Sequence, residues 1–395
     1  MNVYEQLGVR TIINAKGPAT RLSGGLMRPE VTAAMAKAAQ VCVDIAELQA
    51  RAGEIIAEAT GAEAGYVTSG AAAGLLLGTA ACVAGLDPGK MSRLPDTTGM
   101  KNEVVMVRSQ RNFYDHAVRG AGVKIVEVGL PDRYAGAGVR DAEPWEIADA
   151  INECTAAVHY VADSAARPSL PEVVAVAHAA GVPVLVDAAA QLPPAGNLNR
   201  FIAEGADLVA FSGGKALGGP QATGILCGRR DLIMAAALQH LDLDIFWEQW
   251  SPPASLIDKN LLKGVPQHGI GRPCKVGKED IVGLLTALRL FRDEGDAVRH
   301  ARWLAMLRQL AQGLRALEGA DITLTGESEF GEVPTLVLRL RSGGRAAALA
   351  LVMRLAAGTP SVHADPTRID DGVVIFNPAC LQESEVRMVV QCVRH

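Results

Sequence analysis

The chain has 395 residues, 49% of them hydrophobic and only 4% aromatic, so a large aliphatic core can form. Its formal net charge is −5 and it contains no basic block, which argues against nucleic acid as a partner. No uncharged apolar run reaches the roughly 18 residues that span a bilayer, and the N-terminus lacks the apolar stretch of a signal peptide. The seven cysteines are scattered and form no CxxC pair, as is typical of a reduced protein. We therefore expect a cytoplasmic protein without a membrane or nucleic-acid partner.

Helices and short apolar strands are predicted to alternate over the first two thirds of the chain. Residues 30–59 carry apolar side chains at i, i+3 and i+4, which predicts helix. Further helices are predicted at 71–84, 144–153, 171–180 and 198–205. Strands are predicted at 65–69, 103–108, 124–129, 156–162, 182–188, 208–213 and 223–228. Several of these strands are continuous Val, Ile and Leu runs, which indicate a mainly parallel sheet covered by helices.

Two less regular segments interrupt this alternation. Residues 87–102 are polar and are predicted to form a loop, and residues 247–280 are rich in Pro and Gly. We expect a domain boundary within the second segment. Beyond it, helices are predicted at 281–293, 297–319 and 345–356, and strands at 321–328, 334–342 and 371–379. This mixture indicates a smaller α+β domain.

The first predicted strand of the sheet ends in residues that suit ligand binding. Ligands of open α/β sheets bind outside the carboxyl ends of the strands. Ser69 and Gly70 follow this strand, and a helix is predicted to begin at Ala71. The free N–H groups of a first helical turn bind phosphate, and the Ser69 hydroxyl can add a donor. An ordinary serine N-cap is the alternative interpretation of this segment.

A carboxylate and an amine follow two later strands. Asp187 ends a very apolar strand, where an unpaired carboxylate is costly, so it must meet a cation, several donors or water. An N-cap or an ion pair with a loop Arg or Lys is the alternative. Lys215 comes one helix-and-strand unit later, and a lysine at the edge of a dry site becomes a nucleophilic amine. The glycines around Lys215 are predicted to leave room for a flat ring.

These three features require a ligand with a phosphate, a group that pairs with a buried carboxylate, and a carbonyl that reacts with an amine. Pyridoxal 5′-phosphate has all three, in its phosphate, its pyridinium nitrogen and its aldehyde. A Schiff-base lysine and an aspartate partner for the pyridinium are the pair expected for this cofactor. We therefore predict that Lys215 and Asp187 bind pyridoxal phosphate and act in catalysis. No metal site is predicted.

Three segments resemble those of one enzyme superfamily. The stretch DLVAFSGGKALGGPQATGIL, at 207–226, resembles the lysine block of the fold-type I pyridoxal phosphate enzymes, the aspartate aminotransferase superfamily. The stretches TIINAKGPATRLSGG, at 11–25, and GRPCKVGKEDIVGLLTAL, at 271–288, narrow the resemblance. Both are similar to segments of the bacterial selenocysteine synthase and D-glucosaminate-6-phosphate ammonia-lyase group.

The resemblance implies an α/β, aspartate-aminotransferase-like fold. In that fold a large domain, with a mainly parallel seven-stranded sheet between helices, is joined to a smaller α+β domain. We place the large cofactor-binding domain at 51–260 and the small C-terminal domain at 261–395. Residues 1–50 are predicted to contribute to the small domain and to the rim of the active site. The superfamily builds its sites at a two-fold interface, so a homodimer or a larger homo-oligomer is expected.

The resemblance also implies roles for further residues. Ser212, three positions before Lys215, matches the phosphate-binding serine of the superfamily. His116 lies where the superfamily has a side chain that stacks on the cofactor ring, with Tyr114 as the alternative. The other candidates are Gln191, at the ring hydroxyl, Asp163 and Ser164, at the ring edge, and Arg21, Arg111, Arg167 and Arg272, at the carboxylate or phosphate of the substrate.

The implied reaction starts when a substrate amine displaces Lys215 from the cofactor, after which Lys215 serves as general base at Cα. The resemblance favours a lyase that eliminates a β-substituent from an amino acid or a sugar-derived amino acid. The products would be ammonia and a 2-oxo acid. An amino acid racemase, an aldolase and an aminotransferase on the same scaffold stay open.

Two other functions are less favoured. Selenium transfer onto seryl-tRNA fits poorly with the acidic net charge. The enzyme that catalyses it has an additional N-terminal tRNA-binding domain before the shared segment, whereas this sequence enters that segment by residue 12. A non-catalytic pyridoxal phosphate-binding protein would have no need of Lys215 together with Asp187 and Ser212. We therefore expect an enzyme that acts on a small-molecule amino acid.

Overall fold

The computed structural model describes residues 2–130, 141–329 and 331–395. Its strands are β1 (Ile12–Ala15), β2 (Ala64–Thr68), β3 (Glu103–Val107), β4 (Lys124–Val128), β5 (Thr155–Val161), β6 (Val184–Asp187), β7 (Leu208–Ser212), β8 (Gly224–Gly228), β9 (Ala320–Thr325), β10 (Thr335–Leu340), β11 (Ser361–Ala364) and β12 (Val373–Phe376). Its α-helices are α1 (Val3–Gln6), α2 (Pro29–Ala38), α3 (Ile45–Thr60), α4 (Ala71–Ala84), α5 (Pro88–Arg93), α6 (Asp115–Gly120), α7 (Pro144–Ala150), α8 (Leu170–Ala179), α9 (Asn197–Ala203), α10 (Arg230–His240), α11 (Lys278–Leu314), α12 (Gly344–Ala357) and α13 (Val386–Arg394). None of the helices described is long and apolar enough to cross a membrane.

The larger of two compact units comprises residues 27–192 and 196–289 and is built on a seven-stranded sheet. Its strand order is β4-β3-β5-β6-β7-β8-β2. Strand β8 pairs antiparallel with both of its neighbours, and every other pair is parallel. Strands β2, β6 and β8 are buried along their whole length, as expected of strands covered on both faces. The mainly parallel α/β sheet predicted from the sequence is therefore confirmed.

Helix α4 packs closely against one face of this sheet. A methyl group added at Gly78 would lie 3.0 Å from Cδ1 of Leu185, and one at Gly74 would lie 3.5 Å from Cβ of Ala210. Glycine at these positions lets the helix backbone approach the strands. The face that α4 covers is therefore the one that carries Leu185 in β6 and Ala210 in β7.

A side chain satisfies the outer backbone groups of the edge strand β2. The Gln49 side-chain amide, in α3, donates from Nε2 to the Val67 carbonyl at 2.9 Å and accepts from the Val67 N–H at 3.0 Å. Both residues are fully buried, so water does not reach these groups. The amide thus takes the place of a further strand at this point.

The smaller unit comprises residues 1–26, 193–195 and 290–395. It contains a three-stranded antiparallel sheet in the order β12-β10-β9 and a parallel pair of β1 with β11. Its core includes Leu307 and Leu310 of α11, Leu336 and Phe376 of the sheet, and Val389 of α13. This unit has the α+β character that the sequence predicts.

Helix α11 is interrupted at Gly295, whose φ of +70° lies in the left-handed region. The sequence predicts two helices that meet near this point, and the break is confirmed. Arg299 stabilises it, because its buried guanidinium lies 3.7 Å from the centroid of the Phe291 ring and 2.6 Å from an Asp296 oxygen. The Asp296 carboxylate also accepts the backbone N–H of Ala195 at 2.9 Å.

Some short elements differ from the prediction. Helix α5 lies inside the segment predicted as a loop, and it begins where the Asp87 side chain accepts from the N–H groups of Gly89 and Lys90. That N-cap signal was present in the sequence. Strands β1 and β11 and helix α13 were not predicted, because four-residue strands and a nine-residue terminal helix give little periodicity.

The unit boundaries also differ from the predicted domain boundaries at 50 and 260. Residues 27–50 and 261–289 belong to the larger unit. One reason is a close contact of Gly283 in α11 with α2, since a methyl group there would lie 2.8 Å from Cγ of Met35. Contacts of this kind join segments that are distant in sequence, which composition does not reveal.

The role of Gln49 can be tested by Gln49→Met. The substitution keeps the volume but leaves the buried N–H and carbonyl of Val67 without partners. We expect the free energy of unfolding to fall by about 1–3 kcal/mol in urea denaturation. Gln40→Met, at an exposed position near the end of α2, is the matched control and should change little. Equal unfolding midpoints for the two variants would contradict this account of the edge strand.

Candidate active site

Lys215 lies in a tight turn that follows β7. The Gly213 N–H donates to the Thr223 carbonyl at 2.8 Å, and the Gly218 N–H donates to the carbonyl of Lys215 at 3.0 Å. A methyl group at Gly213 would collide with the Thr223 side chain, and one at Gly214 would lie 2.7 Å from the Gln221 carbonyl oxygen. The first two glycines of the block therefore let the chain fold back on itself. These contacts are a reason for glycine at both positions that was not predicted, and clearance for a ring stays a prediction.

Asp187 ends β6 and is only 8% exposed. Its Oδ1 accepts the backbone N–H of Ala189 at 3.0 Å, and its cross-strand partner in β7 is Ala210. Burial lowers the pKa of the Lys215 ammonium below its ordinary value, and the Asp187 carboxylate opposes that shift. The structure thus brings the predicted amine and carboxylate into one electrostatic environment at the same edge of the sheet.

The start of α4 lies at the same edge. Gly70 is its N-cap with φ +100°, and no side chain caps the helix, so the first-turn N–H groups are available to an anion. Gly224 in β8 packs directly against this point, since a methyl group there would lie 2.5 Å from the Gly70 carbonyl carbon and 2.7 Å from the Ala71 nitrogen. Gly224 pairs with Ser212 of β7, so the Ser212 hydroxyl is carried by the strand next to this helix start.

The Ser69 hydroxyl has a different partner from the one predicted. It donates to the carbonyl of Cys274 at 2.7 Å. The same carbonyl accepts from Nε2 of His240 at 2.8 Å, and the buried Tyr66 hydroxyl lies 2.8 Å from Nδ1 of that ring. Ser69 therefore binds the 3₁₀ turn Arg272–Cys274 to the start of α4, whose first N–H groups have no side-chain cap.

Three predicted cofactor residues follow β5 and β6. Gln191 donates from Nε2 to the Ala162 carbonyl at 2.7 Å, so its amide already holds the end of β5. Ser164 is exposed in the turn after β5, where Asp163 accepts the Ala165 N–H at 2.7 Å. The structure thus brings these residues to the carboxyl edge of the sheet, and their contacts with a ring stay a prediction.

His116 and Tyr114 lie at the start of α6, after β3. Both side chains are exposed, and Nδ1 of His116 lies 3.0 Å from Nη2 of Arg119. The neighbouring Phe113 is 93% exposed. The structure therefore leaves both candidates for ring stacking open to solvent, and it does not choose between them.

The four candidate arginines have different surroundings. Arg111 forms ion pairs with both Asp115 and Glu127, and Arg272 pairs with Asp242 at 2.5 Å. Arg167 is exposed and donates to the Ala166 carbonyl at 2.8 Å, and Arg21 is exposed in the smaller unit. The charge of Arg111 is thus already balanced, which weakens its case as a substrate-binding group.

Sequence reasoning missed two buried polar residues at this edge. Gln110 accepts the Val161 N–H at 2.9 Å, and Val161 is the cross-strand partner of Asp187. Nε2 of Gln110 is buried and has no partner in the described part of the chain. His159 in β5 is also buried. A histidine inside the apolar run AAVHYVA was a visible signal, whereas Gln110 in the turn after β3 gave none.

Residues 27–243 match the family described as SelA, L-seryl-tRNA selenium transferase. A protein of Salmonella typhimurium, named D-glucosaminate-6-phosphate ammonia lyase, is 32% identical over 406 residues that cover 100% of this chain and 97% of the relative. A protein of a Streptomyces species, named 5′-C-glycyluridine monooxygenase-decarboxylase, is 33% identical over 401 residues, 98% and 90% of the two chains.

The solved structure of a D-glucosaminate-6-phosphate ammonia-lyase has a TM-score of 0.81 and 30% identity, and covers 100% of this chain and 97% of that one. The match extends over both compact units. It confirms the predicted aspartate-aminotransferase-like fold and the predicted resemblance to the selenocysteine synthase and ammonia-lyase group. The chain belongs to the L-seryl-tRNA selenium transferase (SelA) family.

Proposed function

We propose that this protein is a pyridoxal phosphate-dependent lyase that releases ammonia from a hydroxylated or sugar-derived amino acid and leaves a 2-oxo acid. The full-length similarity to an enzyme named D-glucosaminate-6-phosphate ammonia lyase supports this reaction. The observation that carries the proposal is the convergence of Lys215, Asp187 and the uncapped start of α4 at one edge of the sheet.

The residues at this edge fit the cofactor. The first-turn N–H groups of α4 and the Ser212 hydroxyl supply donors for a phosphate, and no side chain competes for the helix start. The buried carboxylate of Asp187 has one backbone donor at 3.0 Å and suits a protonated ring nitrogen. Lys215 supplies the amine for the aldehyde. When bound, the cofactor supplies an electron sink for the charge that develops at Cα of the substrate.

The protein's own groups do the acid–base work. Because burial lowers the pKa of Lys215, more of its Nζ is neutral than in an exposed lysine, and a neutral Nζ can take the proton from Cα. Asp187 would accept the N–H of the ring nitrogen and so hold a proton on that atom. Burial of Asp187 and partial burial of Lys215 limit the water that would otherwise screen the two charges.

The relative of the Streptomyces species favours a second candidate function. It is named a monooxygenase-decarboxylase and shows similar identity over nearly the full length. Such a reaction would consume O₂ and release CO₂ from the substrate, whereas the proposed lyase needs no O₂ and releases ammonia. The larger share of the ammonia-lyase relative covered by the alignment favours the lyase.

We further propose a small-molecule amino acid as substrate, a homodimer or larger homo-oligomer as the assembly, and the cytoplasm as the compartment. All seven cysteines are free, which favours a reducing compartment. The acidic net charge favours a small substrate over tRNA. A gel-shift with tRNA would test the last point, and a retarded band would contradict it.

The role of Lys215 can be tested by Lys215→Ala. Wild type should carry the yellow absorption band of a lysine-bound cofactor and release 2-oxo acid and ammonia without O₂. The assay would use D-glucosaminate 6-phosphate and a panel of D- and L-β-hydroxy amino acids. The variant should lose the band and at least about 10²-fold in rate, since it lacks both the covalent anchor and the base.

Lys37→Ala, at an exposed position of α2, is the control for this experiment and should behave as wild type. Two results would contradict the proposal: a wild type without the band, or a panel without a substrate that yields a 2-oxo acid. O₂-dependent release of CO₂ would favour the second candidate.

The packing of β8 against the helix start can be tested by Gly224→Ala. The added methyl group would displace the peptide that joins Gly70 to Ala71, at a cost of about 1–3 kcal/mol, and weaken phosphate binding. We expect a lower affinity for pyridoxal phosphate in an absorbance titration. Gly196→Ala is the matched control, because nothing lies within 4 Å of the added group. Equal affinities of the two variants would exclude this helix start as the phosphate site.

A further inference from the structure

His159 lies on β5, the strand that pairs with the Asp187 strand β6. It is 3% exposed in β5, where its cross-strand partner is Leu185, and Val161 two residues later is paired with Asp187. Side chains alternate along a strand, so His159 and Asp187 share one face of the sheet and are diagonal neighbours, within reach of long side chains. That face is covered by α4, whose sequence has no charged residue.

The hydrogen bond of His159 defines its protonation states. Nδ1 lies 3.1 Å from the Leu185 carbonyl oxygen, which only accepts, so Nδ1 carries a proton. A neutral His159 ring then has a lone pair at Nε2, and only the protonated ring has a second N–H to donate. The charge of His159 therefore decides whether Nε2 can stabilise a carboxylate.

Two carboxylates act on His159. Burial lowers the pKa of His159, and Asp187 opposes this shift, followed by the bond to Leu185 and by Asp115 of α6. Asp115 is itself 3% exposed; one of its oxygens binds Arg111, while Oδ1 is buried and lacks a partner among the residues described. Two further charged groups act on His159 only through these neighbours. Glu127 pairs with Arg111, and Lys215 interacts with Asp187.

A protonated ring nitrogen of the cofactor would balance the negative charge of Asp187, and a protonated His159 would balance the same charge. A buried carboxylate is stabilised by a nearby cation, but a protonated ring nitrogen and a protonated His159 at the same carboxylate would repel each other. We propose that His159 is a positioning residue that acts through Asp187: its proton balances the Asp187 carboxylate in the cofactor-free protein and is released when the cofactor binds. The Nε2–H bond breaks and the proton goes to water. This inference rests on the proposed function.

The sign of the linkage follows from the proton count. The cofactor-free protein binds one more proton at His159 than the holoenzyme, so affinity for the cofactor falls as pH falls through the pKa of His159 in the cofactor-free protein. That pKa lies below the ordinary histidine value, so the loss of cofactor affinity should occur in mildly acidic solution. Asp115 opposes the downward shift, and removing its charge should move the effect to still lower pH.

The test measures pyridoxal phosphate affinity against pH for the full chain and three variants. Below about pH 6.5, the affinity of wild type for pyridoxal phosphate should fall more steeply than that of His159→Gln. Titration of the cofactor's own groups affects both proteins equally and does not contribute to this difference. Asp115→Asn should displace the steep region to lower pH. The control is His178→Gln, at a histidine of α8 that contacts Asp207. The glutamine keeps a donor for Asp207, so this variant should match wild type. Identical profiles for wild type and His159→Gln would overturn the proposal.

A second readout does not depend on activity. Nuclear magnetic resonance of ¹⁵N-histidine-labelled protein, assigned with His159→Gln, should show Nδ1–H in the neutral ring and titration in the cofactor-free protein. Saturating pyridoxal phosphate, or Asp187→Asn, should lower the pKa of His159. A ring that stays neutral between about pH 5 and 8 without cofactor would overturn the proposal. If the protein does not bind pyridoxal phosphate, the proposed function fails, while the effect of Asp187→Asn still decides whether the pair exists.

Discussion

The buried Asp187 carboxylate is the constraint around which this site is arranged. An ionised group at the end of an apolar strand is costly unless positive charge and donors surround it. The structure supplies one backbone donor from Ala189, an electrostatic partner in Lys215 and a buried imidazole in His159. None of these is a complete ion pair within the chain. Under the proposed function, the further cationic partner of this carboxylate is the protonated ring nitrogen of the cofactor.

Close packing decides where that group can be held. Gly74 and Gly78 bring α4 onto the sheet, and Gly224 brings β8 against the first peptide of the helix. The uncapped start of α4 thus lies against β8. Strand β8 is two strands from β6, which carries Asp187, and β7 between them carries Ser212. The turn after β7, which carries Lys215, lies at the same edge of the sheet.

The sequence predicted those parts of the fold that depend on local pattern. The seven strands of the large sheet and helix α4 follow from apolar runs, and the break in α11 follows from Gly295. The positions of Lys215 and Asp187 follow as well, because carboxyl ends of neighbouring parallel strands share an edge. Their position at one edge of the sheet could therefore be predicted before any contact was known.

Contacts between distant segments could not be predicted in this way. The Ser69 hydroxyl binds a carbonyl more than two hundred residues away, and Arg111 is neutralised by Glu127 on another strand. The glycines before Lys215 have a role in the turn that only the positions of Thr223 and Gln221 explain. The unit boundary at 289 likewise depends on packing of α11 against α2.

A partly buried amine, Lys215, and a buried carboxylate, Asp187, are electrostatically coupled at one edge of the sheet. The most direct test is the pH dependence with which Lys215 reacts with an amine-specific reagent in the cofactor-free protein, followed by peptide mass spectrometry. Lys215 should titrate at a lower pH than exposed lysines, and Asp187→Asn should lower that pH further, because the carboxylate opposes the effect of burial. A Lys215 that titrates like a surface lysine, or that is unaffected by Asp187→Asn, would contradict the account.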